Sequence, residues 1–135
     1  MMAAMSKAGG NAMGAPDVCL TPAPPGPPVP MPYPNMAQIA AANGVITTVL
    51  IENKETLAEG SKVPNSSGDE AGTNGGQTSG QNMGPAEVKA FSSKVFFAGK
   101  KAVFLTATVG HNGSNANFPA GAIVAPSQTK VFVGP

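Results

Sequence analysis

Two stretches of the chain, residues 49–63 and 95–109, carry apolar side chains at the same spacing. A constant offset of 46 residues also superimposes their turn pairs, Asn53-Lys54 on Gly99-Lys100. Asn and Gly accept the positive φ that tight hairpin turns require, so each stretch predicts a β-hairpin. The superimposed apolar positions are Val49, Leu50, Ile51, Leu57 and Val63 on Val95, Phe96, Phe97, Val103 and Val109.

A further strand is predicted at residues 129–133, which close the chain with an alternating apolar run. Repeated short hairpins favour stacked or pseudo-symmetric sheets. The chain has 14 Pro and 17 Gly in 135 residues, a composition typical of short strands and many tight turns. Its hydrophobic fraction of 41% with a net charge of +1 argues against disorder. The predicted fold class is therefore mainly β, a small domain of pseudo-symmetric hairpins.

Proline dominates residues 15–34, APDVCLTPAPPGPPVPMPYP. Because proline fixes φ and cannot donate to a sheet ladder, this segment is predicted to be extended, polyproline II-like and laid over another surface. Two alternatives are a Pro-rich linker and an SH3 ligand. Against both, the segment has apolar side chains that could anchor it to a core: Val18, Cys19, Val29, Met31 and Tyr33.

Three other segments complete the organisation. Residues 1–14 are small and flexible in composition, which predicts a disordered arm ahead of one domain at 15–135. Residues 35–42, NMAQIAAA, predict a short helix with Asn35 as N-cap and Gly44 just beyond its end. Residues 64–85 are rich in Gly, Ser, Asn and Thr, and they predict either a flexible linker or a functional loop.

Charge and cysteine content exclude several classes. The chain has eight lysines and no arginine, which argues against nucleic-acid binding. Cys19 is the single cysteine, so no intrachain disulfide can form. The N-terminal residues contain no sustained apolar run of the signal-peptide kind, and no stretch approaches the roughly 20 apolar residues that span a bilayer. We therefore expect the protein to start in the cytoplasm, and any export to need a carrier.

Catalytic constellations are almost absent from the sequence. A single histidine, His111, leaves no base and orienter for a triad, and the glycine-rich run lacks the Lys-Ser/Thr of a P-loop. We expect no enzymatic activity. Cys19 and His111 are good zinc ligands, but a structural zinc site almost always has four. The alternatives are a buried cysteine acting as a small hydrophobe and a histidine in a turn.

Several ordered motifs resemble the PAAR-like, or PIPY-type, domains of injection-machine spikes. Residues 16–19 (PDVC) and 29–35 (VPMPYPN) resemble the opening signature, with Met31 in place of the usual isoleucine. Residues 67–73 (SGDEAGT) resemble the central loop, and residues 95–112 the closing hairpin. The motif residues that the resemblance assigns to spike binding or structure are Pro16, Asp17, Pro30, Pro32, Tyr33, Pro34, Asn35, Gly68, Asp69, Glu70 and Gly72.

The resemblance implies a small conical β-domain whose base sits on the end of a trimeric VgrG-like spike, one cap per trimer. Such a tip protein would sharpen the spike of a type VI secretion or related contractile injection system. It would aid membrane puncture and delivery of effectors or adaptors, leaving the cytoplasm at the tip of the apparatus and contacting the target membrane transiently. The alternative from another class is a small interaction module that presents its Pro-rich segment as a ligand.

The resemblance also implies a metal ion near the vertex, which PAAR domains bind with three histidines and one cysteine. This chain departs from that pattern, because His111 is its only histidine. The implied ligands are therefore Cys19 and His111, with zinc as the metal. Asp17, a backbone or water oxygen, or a neighbouring molecule would complete the set.

Overall fold

The computed structural model describes residues 2–134 and confirms a mainly β domain, with 47% of residues in strands and 2% in helix. Among the described residues, no helix is long and apolar enough to cross a bilayer. The strands are β1 Met2–Ala3, β2 Asn11–Thr21, β3 Val29–Gln38, β4 Ile46–Ile51, β5 Lys54–Thr56, β6 Lys62–Val63, β7 Ala86–Val88, β8 Phe96–Phe97, β9 Lys100–Lys101, β10 Thr108–His111, β11 Phe118–Ala125 and β12 Phe132–Val133.

Six strands form one antiparallel sheet in the order β3-β2-β11-β10-β7-β6. The long β2–β3 hairpin contains the Pro-rich segment, so the prediction of an extended segment is confirmed. Its prolines Pro30, Pro32 and Pro34 lie in β3, the edge strand of the sheet. An edge strand has one side free of ladder bonds, which is why it tolerates residues without an N–H.

Both predicted hairpins are present. Strands β4 and β5 pair antiparallel with Ile51 opposite Lys54, and β8 and β9 pair with Phe97 opposite Lys100. In each case two residues with positive φ form the turn, Glu52 and Asn53 in the first (52° and 65°) and Ala98 and Gly99 in the second (51° and 81°). Such turns match the right-handed twist of the strands.

The two ends of the chain form a third hairpin-like pair, which the sequence alone did not indicate. Strand β12, within the predicted run 129–133, pairs antiparallel with β1, so that Val133 lies opposite Met2 and Phe132 opposite Ala3. This register repeats that of the other two hairpins, in which Leu50 lies opposite Glu55 and Phe96 opposite Lys101.

The segments that follow β1, β5 and β9 close a ring of hydrogen bonds. The Met5 amide donates to the Val103 carbonyl (3.0 Å), Val103 to Leu57 (3.2 Å) and Leu57 to Met5 (3.0 Å). A second set obeys the same rotation, so residues 3–7, 55–59 and 101–105 are related by pseudo-threefold symmetry. In the second set the Lys7 amide donates to the Glu55 carbonyl, the Glu59 amide to the Lys101 carbonyl and the Leu105 amide to the Ala3 carbonyl. We call the three segments, with their hairpin partners, the triangular layer.

The hydrophobic core runs from this layer into the six-stranded sheet. Met5, Leu57 and Val103 are at most 1% exposed at the centre of the ring. Ala12 of β2, Val109 of β10 and Ile123 of β11 continue the same cluster, so the layer and the sheet share one core. Because small core residues allow close approach, many alanines are fully buried here.

Two local predictions are wrong. Within residues 2–14 there is no disordered arm, because Ala4 and Met5 are fully buried in the core and β2 begins at Asn11; Met1 lies outside the described residues. The predicted helix at 35–42 is instead the end of β3 followed by a single 3-10 turn, Ile39–Ala41. Asn35 is not its N-cap, since its side chain is buried and bonds to Asp17.

Candidate functional site

Strand β2 turns two polar side chains to one face. Asp17 and Cys19 are two residues apart, so they project on the same side of the strand, and both are fully buried. Their partners across the hairpin are Tyr33 and Met31. A register shift between Gly14 and Asp17 interrupts the pairing of β2 with β3 just before this face.

The glycine-rich loop 64–85 packs along β2 and is a structured loop, not a linker. The Leu20 amide donates to the Gly75 carbonyl (2.8 Å), and the Gln77 amide to the Val18 carbonyl (3.0 Å). The Ser67 and Met36 backbones exchange a pair of hydrogen bonds at 2.7 and 2.8 Å. These contacts carry Asp69 into the interior beside Cys19.

Asp17, Cys19 and Asp69 form the polar cluster of this domain. Their potential ligand atoms all lie within 4.8 Å of one another, and all three residues are buried. The Cys19 thiol is 3.7 Å from a carboxylate oxygen of Asp17 and 3.7 Å from one of Asp69. Two carboxylates and a thiol in this arrangement can hold a metal ion.

Amide side chains surround the Asp17 carboxylate. Asn35 donates to Oδ2 at 2.9 Å, and Asn112 donates to Oδ1 at 3.3 Å. Asn117 also donates to Oδ1 and, through the same nitrogen, to the Val18 carbonyl at 2.9 Å. Sequence reasoning missed the roles of Asn112 and Asn117, because an asparagine in a polar loop carries no signal of a partner about 95 residues away.

Burial and mutual proximity govern the protonation of the cluster. Burial, together with the neighbouring Asp17 and Asp69 carboxylates, raises the pKa of the Cys19 thiol to about 12. Burial, together with the hydrogen bond to Asp17, raises the pKa of Asp69 to about 6. Both shifts disfavour negative charge. Without a cation, Asp69 and Cys19 therefore keep their protons to a higher pH than an isolated carboxylic acid and an isolated thiol would.

His111 lies outside this group. It is fully buried in β10, and neither ring nitrogen has a hydrogen-bond partner. Its ring occupies the space above Gly14 and Gly121, where an added Cβ would come within 2.8 Å and 2.4 Å of it. Burial lowers the pKa of His111, so the ring is neutral at pH 7. In the described chain, His111 is not part of any group of three metal-ligating side chains.

The central-loop motif is explained by close packing. A Cβ on Gly72 would lie 2.4 Å from the Cys19 Cβ, and one on Gly68 would lie 2.0 Å from the Pro34 carbonyl oxygen. Between them, Asp69 points inward while the exposed Glu70 accepts a hydrogen bond from the Gly68 amide at 2.7 Å. The motif thus brings a carboxylate against the β2–β3 hairpin with no side chain in the way.

Residues 17–21 of the Pro-rich segment pair with residues 29–33 in the six-stranded sheet. Tyr33 pairs with Asp17 across the hairpin, and its hydroxyl lies 2.7 Å from the Thr21 hydroxyl. Residues 22–32 are all exposed, and Val29 (43%) and Met31 (45%) therefore do not anchor the segment to the core. Pairing of its backbone with β2 is what distinguishes this segment from the free Pro-rich ligand of the alternative.

A second candidate site lies on the triangular layer. In each of its three hairpins, one strand alternates an exposed and a buried apolar residue. The exposed members are Leu50 (53%), Phe96 (51%) and Phe132 (46%). The buried members are Ile51, Phe97 and Val133. The layer therefore presents three large apolar side chains at pseudo-threefold positions.

Comparison with known families decides the relationship. A family model described as the toxin PAAR-like domain matches residues 10–118. The chain belongs to the toxin PAAR-like family. No curated protein and no solved structure matches it. Membership associates this PAAR-like domain with type VI secretion spikes, their effectors and spike partners.

The matched range contains the polar cluster and its motif residues, whereas β1 and β12 lie beyond it. The donor set of this PAAR-like domain does not reproduce three histidines and a cysteine. Its single histidine is separate from the cluster, and Asp17 and Asp69 accompany the cysteine instead.

Proposed function

We propose that this PAAR-like domain caps the end of a trimeric spike in a type VI secretion or related contractile injection system. The observation that carries the proposal is the triangular layer, with Leu50, Phe96 and Phe132 exposed at equivalent positions. Large exposed apolar patches mark interaction surfaces, whereas single exposed apolar side chains are common, and the threefold repeat is what distinguishes these three residues.

Symmetry gives the reason for the fit. A trimer presents three identical surfaces around its axis. A single chain with pseudo-threefold symmetry can meet all three with similar contacts, so one cap per trimer satisfies the interface. The ring of hydrogen bonds joining Met5, Leu57 and Val103 fixes the three hairpins relative to one another before binding. Such preorganisation lowers the entropy lost on association.

The rest of the proposal follows from a mechanical role. The cap is made in the cytoplasm and leaves at the tip of the apparatus, where it meets the target membrane transiently and helps deliver effectors or adaptors. It acts without catalysis and without nucleic acid. It holds a zinc ion as a structural element.

The test is co-purification of the natural chain with a trimeric VgrG-like spike protein from the same system. We expect a complex of one cap and three spike chains by light scattering. The triple variant Leu50→Ser, Phe96→Ser, Phe132→Ser removes the apolar contacts, so its affinity should fall at least 100-fold, an estimate of roughly 1 kcal/mol per truncated contact.

A matched control removes three other exposed apolar side chains, by Val29→Ser, Met31→Ser and Val124→Ser in the six-stranded sheet. This variant should bind the spike as the natural chain does. The proposal fails if the natural chain does not bind, if several caps occupy one trimer, or if both triple variants bind equally well while remaining folded by circular dichroism.

A further inference from the structure

We propose that Asp17, Cys19 and Asp69 bind one zinc ion, with water as the fourth ligand and His111 taking no part. This site replaces the three-histidine, one-cysteine set that the family resemblance implies. The inference specifies the zinc of the proposed function, but it does not depend on spike binding, and its test uses the cap alone.

The spacing of the side chains suits a single ion. Zinc binds thiolate at about 2.3 Å and carboxylate oxygen at about 2.0–2.2 Å in tetrahedral geometry. Two such ligands of one ion therefore lie roughly 3.5 Å apart. The Cys19 sulfur lies 3.7 Å from an oxygen of each aspartate, so only a small adjustment is needed for an ion to sit between them.

Two buried oxygens without hydrogen-bond partners belong to the cluster and to its neighbour Asn35. Asp69 Oδ1 and Asn35 Oδ1 have no hydrogen-bond donor, although both residues are fully buried. Asn35 lies beside the cluster, where its amide nitrogen donates to Asp17 Oδ2 at 2.9 Å. An unsatisfied buried acceptor costs about 1–3 kcal/mol. A cation beside the Asp69 carboxylate would lower this cost for its Oδ1.

The charge of the cluster also calls for a cation. Within residues 2–134 the salt bridges join Lys89 to Glu87 and Lys130 to Glu52, and all four side chains are partly exposed. Neither buried aspartate has a basic partner of this kind. Buried carboxylates are normally paired or coordinate metals, and a thiolate among the donors favours zinc over magnesium or calcium.

Neighbouring amides hold the ligands in place. Asn112 and Asn117 both donate to Asp17 Oδ1, and the Met83 amide donates to Asp69 Oδ2 at 3.3 Å. Such outer contacts fix the orientation of metal ligands. The ion would tie the loop 64–85 to β2 across 50 residues of chain. Removing it should therefore free that loop first.

The experiment is elemental analysis of the full chain, purified without a histidine tag and loaded with zinc before gel filtration. We expect about one zinc per chain. Cys19→Ser and Asp69→Asn should each lower the zinc content at least tenfold, in line with the loss of one of four ligands. His111→Gln and the adjacent surface change Glu70→Gln should leave it unchanged. EDTA should lower the melting temperature and make residues 64–85 sensitive to protease.

Cobalt substitution keeps the test decisive if the ligand variants fail to fold. The natural chain loaded with Co²⁺ should show the near-ultraviolet absorption of a single thiolate ligand, and histidine resonances should not shift as those of a bound imidazole would. The inference is overturned if the zinc-loaded chain retains no metal, if His111→Gln removes it, or if Cys19→Ser and Asp69→Asn retain it. Loss of zinc binding with spike binding intact, or the reverse, separates this inference from the capping proposal.

Discussion

Gly72 shows how much of the polar cluster depends on a missing side chain. The loop 64–85 can bring Asp69 beside Cys19 only because nothing projects from Gly72 towards the Cys19 Cβ. Interiors are packed at crystal-like density, so even one added methyl group must displace its neighbours. At this position the neighbour is the base of a buried side chain on β2, which cannot move aside without moving the strand.

Gly72→Ala should lower the free energy of unfolding by about 1–3 kcal/mol, because the added Cβ would lie 2.4 Å from the Cys19 Cβ. Urea unfolding followed by circular dichroism measures the change. Gly26→Ala is the matched control, since Gly26 lies in the exposed turn and its nearest neighbour to an added Cβ, Ala23 O, is 3.5 Å away. Equal stability of the two variants would contradict this account of the motif.

Residue identities in the cluster were accessible from sequence, but their assembly was not. Cys19, Asp17 and Asp69 all lie in motifs that the family resemblance singles out. Nothing in the chain indicates that Asp69, fifty residues from Cys19, meets it, or that His111 does not. Such contacts depend on how β2, β10 and the loop 64–85 pack together, and local patterns do not encode that packing.

At the scale of elements, short-range turn chemistry was the reliable signal. Asn53 and Gly99 identified both hairpins because a tight turn needs positive φ whatever surrounds it. The predicted turn pairs were one residue too far along the chain, since Lys54 and Lys100 pair in β5 and β9 and the turns are Glu52-Asn53 and Ala98-Gly99. The helix prediction for residues 35–42 failed for the opposite reason. Met36, Ala37 and Gln38 of β3 pair instead with Met13, Ala12 and Asn11 of β2. The Asn35 side chain gains a buried hydrogen bond to Asp17. Tertiary contacts outweighed a weak local propensity.

The hairpin between β8 and β9 has a position that can be improved. Ala98 is exposed and adopts a φ of 51°, which strains most residues with a Cβ but is accepted by Asn. Ala98→Asn should therefore raise the free energy of unfolding by about 0.5–1 kcal/mol, measured by urea denaturation. Ala98→Val introduces a β-branched side chain at the same φ and should lower stability. A gain in stability with Val would refute the turn argument.

For the whole molecule, the third hairpin predicts how the chain can be rearranged. In the other two hairpins two residues connect the paired positions, as Ala98 and Gly99 connect Phe97 to Lys100. Val133 and Met2 form the equivalent pair at the chain ends. A circular permutant that joins Val133 to Met2 through Asn-Gly, and opens the exposed turn before Gly26, should complete the pseudo-threefold set.

We expect this permutant to be at least as stable as the natural chain in thermal unfolding, because a two-residue turn of the I′ type fits the observed register. A permutant opened instead within β2, after Val18, breaks the cluster and the six-stranded sheet, and it should unfold at a much lower temperature. If the first permutant fails to fold, the chain ends are not equivalent to the turns of the other hairpins.

The pairing of β1 with β12 also sets the order in which the triangular layer can be assembled during synthesis. Met2 and Ala3 leave the ribosome long before Phe132 and Val133, so β1 must wait for a partner that is made much later. The two internal hairpins need only neighbouring residues and can form as they emerge. The triangular layer gains its third apolar corner, Phe132, only after Leu50 and Phe96 have been made. A chain terminated before Phe132 would thus lack one of the three proposed contacts, and a spike that requires all three would select for loading the copies that contain it.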